Sequence, residues 1–385
     1  MPLRSLQQVF HIWLLEVAKE DSVSPKKNPK KSILDKPGLV KRTTKALGIA
    51  NAQIVPAARL PGTELVALGG GESVQLPGVR TLPISASDKE HGLAGTSLVL
   101  PPSAVRILKG VHIQVRTGVV TLENGCIVAE SMPISKDRRM KSPRRSSAST
   151  HLAGNVAPYG STLDDVCAGI TEAFPKIVLL QHPAVRRYGP ITVVHAGLSP
   201  IERFLLSLLD SQQILTEHVG PAAVIQGDRT MLPGPVTRRG TSGSPSWFQE
   251  WLDRSLAEIS PPRASLMIAL IHGAADPLAD SDVLNELKAG GFVVIDTSAL
   301  TLDGSVPSDG ISPVVGAIRD ASVVVGATDS ALAHALLCER ADVVHLGLAD
   351  VVTARPIQLC ASKGLNYHFT KPELLGPTLS SLKAN

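Results

Sequence analysis

The feature that most constrains this chain is the strict alternation over its last 120 or so residues. "ASLMIALIHG" reads as a strand, "SDVLNELKAGG" as a helix and "FVVID" as a strand. "SPVVGAIRDA" follows as a helix, "SVVVG" as a strand, "SALAHALLCERA" as a helix and "DVVHLG" as a strand. Strands that are continuous β-branched runs, with no polar residue on alternate positions, are covered on both faces. Helices between them supply the cover, so the pattern predicts a doubly wound parallel sheet. Ligands of such sheets sit beyond the carboxyl ends of the strands. That rule places His272-Gly273, Asp296-Thr297 and the loop Gly326-Ala327-Thr328-Asp329-Ser330 on one rim.

In that loop Gly326 lets the backbone turn sharply after its strand, and Asp329 or Ser330 is placed to cap a helix beginning at Ala331. Unpaired amides and the positive end of a helix dipole suit a diphosphate. A plain helix cap is the competing reading. The Asp329 carboxylate favours it, because a carboxylate repels phosphate unless a cation intervenes.

Upstream, residues 3–19 carry Leu3, Leu6, Val9, Phe10, Trp13, Leu14 and Val17 at helical spacing, one apolar stripe over about four turns. Residues 46–135 break into short β-rich runs. The clearest is a hairpin turning at Glu123-Asn124-Gly125, where Asn-Gly supplies the positive φ angles. Beyond it, "KIVLL" and "ITVVHAG" are expected as short buried strands, and "PIERFLLSLLDS" and "WFQEWLDRSLAEI" as amphipathic helices. His195 ends the second of those strands, open to either a cleft-facing or a structural role.

Charge is uneven. Residues 1–150 hold 22 Lys+Arg against 11 Asp+Glu, whereas residues 151–385 hold 16 against 23. Much of the excess lies in "SPKKNPKKSILDKPGLVKR" and "KDRRMKSPRRSSAST". Both read as solvated spacers or as contacts for an anionic surface. No aromatics interleave with these charges, which argues against nucleic-acid reading. The four cysteines show no CxxC and no zinc-like spacing, so reduced thiols are expected. With no leader pattern and no long apolar run, the expected location is cytoplasmic. The amphipathic helix is placed to dock on the body of the protein, on a partner or, beside the basic segments, at the inner membrane face.

"SPVVGAIRDASVVVGATDSALAHALLCERADVVHL", followed by "QLCASKGLNYHF", resembles the C-terminal half of the family 61 glycosyltransferases. Arg319, Ala321, Gly326, Leu332 and Leu346 fall in register with that family's Arg-X-Ala, strand, Gly-Pro-His-Gly-Ala-Gly-Leu and Leu-rich helix. Upstream, "PYGSTLDDV" is similar to Asn-Tyr-X-His-Trp-Leu-X-Asp-Val, with Tyr159, Gly160, Leu163, Asp165 and Val166 matching. The likeness spans roughly residues 95–375.

The resemblance implies a GT-B-like α/β fold of two Rossmann-like domains. Residues 1–45 would be the helix and linker. Residues 46–245 would be an acceptor-side domain with a β-rich start and a basic loop at 136–150. Residues 246–385 would be the nucleotide-sugar domain. It also implies inverting, metal-independent transfer of a sugar to a polysaccharide or glycoconjugate acceptor in capsule or surface-polysaccharide synthesis. The nucleotide-sugar is then a substrate, and no cofactor is expected.

On that reading His272 and Gly326 to Ser330 contact the donor. Tyr159, Gly160 and Ser161 face the acceptor, and Asp165 and His195 are the candidate bases. Where the family has His-Trp this chain has Ser161-Thr162, and where it has the loop histidine this chain has Thr328. A hydroxyl does not replace an imidazole as a base near neutral pH. A second function therefore stands beside transfer: a catalytically inactive protein of the same fold that binds or scaffolds in polysaccharide assembly.

Overall fold

The computed structural model describes residues 54–76, 97–131, 149–159, 169–237, 241–259, 266–301, 308–348 and 353–383. These belong to one compact unit, Asn51–Asn385. The amphipathic helix at 3–19, the first basic segment, most of the basic loop at 136–150, and Gly160, Ser161 and Asp165 lie outside the described residues.

The strands are β1 (Ile54–Val55), β2 (Glu64–Gly69), β3 (Glu72–Gln75), β4 (Ser97–Leu100), β5 (Ser103–Leu108), β6 (Val111–Gln114), β7 (Val119–Leu122), β8 (Ile127–Val128), β9 (Thr150–Pro158), β10 (Ile191–His195), β11 (Ile214–His218), β12 (Val224–Pro233), β13 (Leu266–Ile271), β14 (Val293–Asp296), β15 (Ala321–Gly326), β16 (Asp342–Leu346) and β17 (Asn366–Thr370). The helices are α1 (Phe174–Leu179), α2 (Pro183–Arg186), α3 (Pro200–Ser207), α4 (Ser246–Ile259), α5 (Asp282–Ala289), α6 (Ser308–Arg319), α7 (Asp329–Leu332), α8 (Arg355–Lys363) and α9 (Leu375–Lys383). The protein is a mixed α/β molecule, and neither of its two large sheets closes into a barrel.

The first sheet joins two kinds of structure. Its N-terminal strands β5 to β8 meet mostly antiparallel, and the Asn-Gly hairpin forms as its sequence predicts. Gly125 sits at φ 83°, Leu122 N donates to the Cys126 carbonyl at 2.9 Å, and Asn124 Oδ1 accepts from Cys126 N at 3.0 Å. Then β12, β9, β10 and β11 lie side by side, all parallel. Ile113, Val156, Val194 and Ile225 fill its core.

One sequence expectation fails here. "KIVLL" is not a strand but the end of α1. A continuous apolar run carries no periodicity of its own. Upstream, Ile170, Phe174 and Ile177 are buried at spacings of four and three, and Pro175 occupies the first helical turn. A helix buries that stripe and a strand would not.

The second sheet runs β14-β13-β15-β16-β17, every pair parallel. The predicted alternation is therefore realised, with β17 as an added edge strand. Ala269, Val325 and Val344 are among the residues of its core. "SALAHALLCERA" forms only the short α7 before tightening into a 3-10 turn over Ala333–Leu337.

The two sheets are joined through side chains at α4 and α8. Gln358, 1% exposed, accepts from Ser242 N at 3.0 Å, and Lys363 pairs with Asp253. A small apolar cluster of Leu76, Leu98, Leu100, Ala354 and Ile357 ties the β3-β4 ribbon to α8. On another side, α3 packs on α6 and on the turn Thr297–Leu300 that follows β14.

Candidate functional site

In the second sheet the strand order reverses between β13 and β15. The crevice of a doubly wound sheet lies outside the carboxyl ends of such a pair. Those ends are Ile271-His272-Gly273 and Gly326-Ala327-Thr328, so the rim predicted from sequence is assembled as expected.

Its contents were not legible in the sequence. Asp276, 5% exposed, turns its carboxylate into the crevice. One oxygen accepts from Thr328 Oγ1 at 2.8 Å and from His272 N at 3.0 Å, and the other accepts from Leu278 N at 3.0 Å. Asp296 does the same one strand over, accepting from Gly273 N at 2.8 Å and Ser298 N at 2.9 Å. The backbone amides that a diphosphate would use at His272 and Gly273 thus already serve carboxylates.

Thr328, rather than Asp329 or Ser330, caps α7, its Oγ1 accepting from Ala331 N at 3.3 Å. The helix starts at Asp329, two residues before the start that its sequence predicts, and the cap moves with it. Asp329 instead accepts from the Thr353 hydroxyl at the entry to α8. Gly326 does not adopt a positive φ. A Cβ there would lie 2.8 Å from Leu332 Cδ2, so its lack of a side chain makes room for a buried leucine rather than for a phosphate.

His272 Nδ1 meets Thr297 Oγ1 at 3.0 Å, and that hydroxyl donates to the Ile271 carbonyl at 2.9 Å. Two further histidines lie beneath. Burial holds both His334 and His345 at a pKa of about 4, well below the ordinary 6.5. His345 donates to the Ala327 carbonyl and meets the Tyr367 hydroxyl at 2.8 Å. The crevice thus brings together the acidic side chains of Asp276, Asp296 and Asp329.

The first sheet has a corresponding rim at the ends of β9 and β10. Tyr159, 2% exposed, is buried, its N–H donating to the Val194 carbonyl at 3.1 Å. Its phenol lies beside Glu202; burial, then that carboxylate, pushes its pKa well up. Glu202 is itself raised by burial while it closes a capping box with Ser199 at the start of α3. His195 is also buried, its ring 5.5 Å from that of His218 on the neighbouring strand. Burial first, then His218 and Arg203, lower its pKa. His195 and Tyr159 therefore share one rim, and His272 and Gly326 to Ser330 share the other.

A third location escaped sequence reasoning altogether. A cavity of about 1130 Å³ opens between the β2-β3 turn, the segment from α1 to α2, and the first half of α4. Trp247 and Trp251 are half-buried in its wall. The signal was present in "WFQEW", where two indoles four residues apart share one helix face, but it was absorbed into an amphipathic stripe.

Among the described residues no group of three or more His, Cys, Asp or Glu side chains is placed to hold a metal ion. Nor is any helix there long and apolar enough to cross a membrane. No protein-family model and no curated protein matches the chain.

Proposed function

We propose that this protein keeps a glycosyltransferase-like, GT-B-type scaffold and binds a glycan in surface-polysaccharide assembly without transferring sugar. The observation that carries this reading is the Asp276 carboxylate seated on Thr328 and on the His272 amide. An anion fixed in the switch-point crevice occupies the place and the donors that a donor diphosphate requires. It also repels the ligand by its charge. The absence of a loop imidazole at Thr328 points the same way. The packing of α3 against the turn after β14 supports two Rossmann-like halves with their rims adjacent.

Transfer is the second reading, favoured by the strand order that puts His272 and Gly326 at the switch point. Calorimetry with uridine, guanosine and cytidine nucleotides and their sugars, followed by a donor-hydrolysis assay, separates the two. The binding reading expects no saturable diphosphate binding and no hydrolysis. Turnover of any nucleotide-sugar would end it.

A further inference from the structure

We infer that the cavity between the β2-β3 turn and α4 is a docking site for a neutral oligosaccharide, distinct from both strand-end rims. The inference rests on the glycan-binding reading and says where the glycan sits. No lining residue of this cavity belongs to the Asp276 crevice or to the Tyr159 rim.

Four observations converge. The first is the indole pair. Trp247 and Trp251 lie one helical turn apart on α4, so both rings reach the same wall. Each is held by its neighbours. Trp247 Nε1 donates to Ser103 Oγ at 2.9 Å, and Trp251 stacks on Phe248 at 6.1 Å and 14° and lies tilted on Phe174 at 5.5 Å. Rings fixed in this way lose little freedom on binding and add rigid apolar surface to the wall. Such surface suits the C–H face of a sugar ring.

The second is charge. Arg186 and Arg254 line the cavity together with Glu72 and Glu250, two cations against two anions. Glu72 is already engaged by Ser246 N and Oγ, and Arg186 by Asp210. His182 Nδ1 accepts from Ala184 N, which leaves the proton of the neutral ring on Nε2 as a donor. The wall therefore offers donors and acceptors of both kinds, and the formal charges of its lining cancel. That suits a hydroxyl-rich neutral ligand and gives a phosphate or nucleotide no advantage.

The third is the glycine run at 69–71. Gly71 has a packing reason, since a Cβ there would fall 2.8 Å from the Leu100 carbonyl. Gly69 and Gly70 have none. Neither takes a positive φ, and a Cβ on either would meet nothing within 4 Å. Gly69 lies at the register shift of β2 against β5; Gly70, which costs folding entropy without steric need on the wall of the cavity, keeps that cavity open.

The fourth is size. The cavity exceeds the roughly 300–1,000 Å³ of ordinary small-molecule sites, which fits a ligand of several rings rather than one.

The test uses the full chain and follows tryptophan fluorescence and calorimetry against cellotetraose, maltotetraose, xylotetraose and chitotetraose, with uridine diphosphate as control. At least one tetrasaccharide should shift the emission saturably. Trp251→Ala should weaken that binding at least tenfold. Gly70→Leu, whose Cβ meets nothing within 4 Å, should weaken it as strongly while the thermal transition is retained. No tetrasaccharide binding by the wild type, binding that survives both substitutions, or binding of uridine diphosphate in their place would each overturn the inference. A tetrasaccharide null leaves the Asp276 crevice as described. Turnover of a nucleotide-sugar would end the binding-only reading without bearing on the cavity.

Discussion

Replacing Asp276 by Asn isolates the charge that fills the switch-point crevice. The side chain keeps its volume and one acceptor oxygen. That oxygen can still serve Thr328 and the His272 amide, while the new amide group faces Leu278 N–H. Losing one bond to a charged group in a buried site costs about 1.5–3 kcal/mol, so the fold should survive with a lowered urea midpoint. The gain lies in binding. A unit negative charge about 4 Å from an incoming phosphate opposes it by about 4 kcal/mol at an effective dielectric of about 20, or roughly three orders of magnitude in affinity. Calorimetry with pyrophosphate and uridine diphosphate should therefore give no measurable heat for the wild type and a saturable isotherm for Asp276→Asn. The gain should shrink as salt rises. Micromolar diphosphate binding by the wild type, unchanged or weakened in Asp276→Asn, would refute the view that this carboxylate holds the crevice against anions.

Gly326→Ala should cost about 1–3 kcal/mol in urea denaturation, because its Cβ meets buried Leu332 at 2.8 Å; a neutral result would mean that Leu332 moves freely. Gln358→Leu strands the Ser242 N–H inside the packing that joins α4 and α8, and should destabilise by about 1–3 kcal/mol in the same assay. His334 and His345 are neutral in the folded chain down to about pH 4 but protonate near 6.5 when unfolded. The unfolded state then binds more protons, so these groups make stability rise with pH between about 4 and 6.5, by about 1.4 kcal/mol per unit for each histidine. Chemical denaturation across that window checks the sign, and His334→Leu should flatten the slope; an unchanged slope would contradict the burial argument.

How much of this was legible in the sequence depends on how far apart the cooperating residues lie. The second sheet was readable because short β-branched runs alternate regularly with amphipathic helical segments, and the rim followed from topology alone. "KIVLL" was not readable, because five consecutive apolar residues fit either period until Ile170 and Phe174 are counted with them. The Gly326 loop was placed correctly but misread in detail. Its occupant, Asp276, sits 52 residues before Thr328 in the chain, and nothing in either segment announces the other. The Trp247 cavity draws on segments far apart in the chain, at 68–72, 103, 178–186 and 246–254, and only its aromatic wall left a trace in the sequence.

The most direct measurement is an NMR titration of the deuterated chain, reading the indole N–H signals of Trp247 and Trp251 beside the amides of Gly326 to Ser330. An oligosaccharide should move the indoles and leave the loop still, and nucleoside diphosphates should move neither. Shifts confined to the loop on adding nucleotide, with the indoles silent to every saccharide, would contradict the glycan-binding reading.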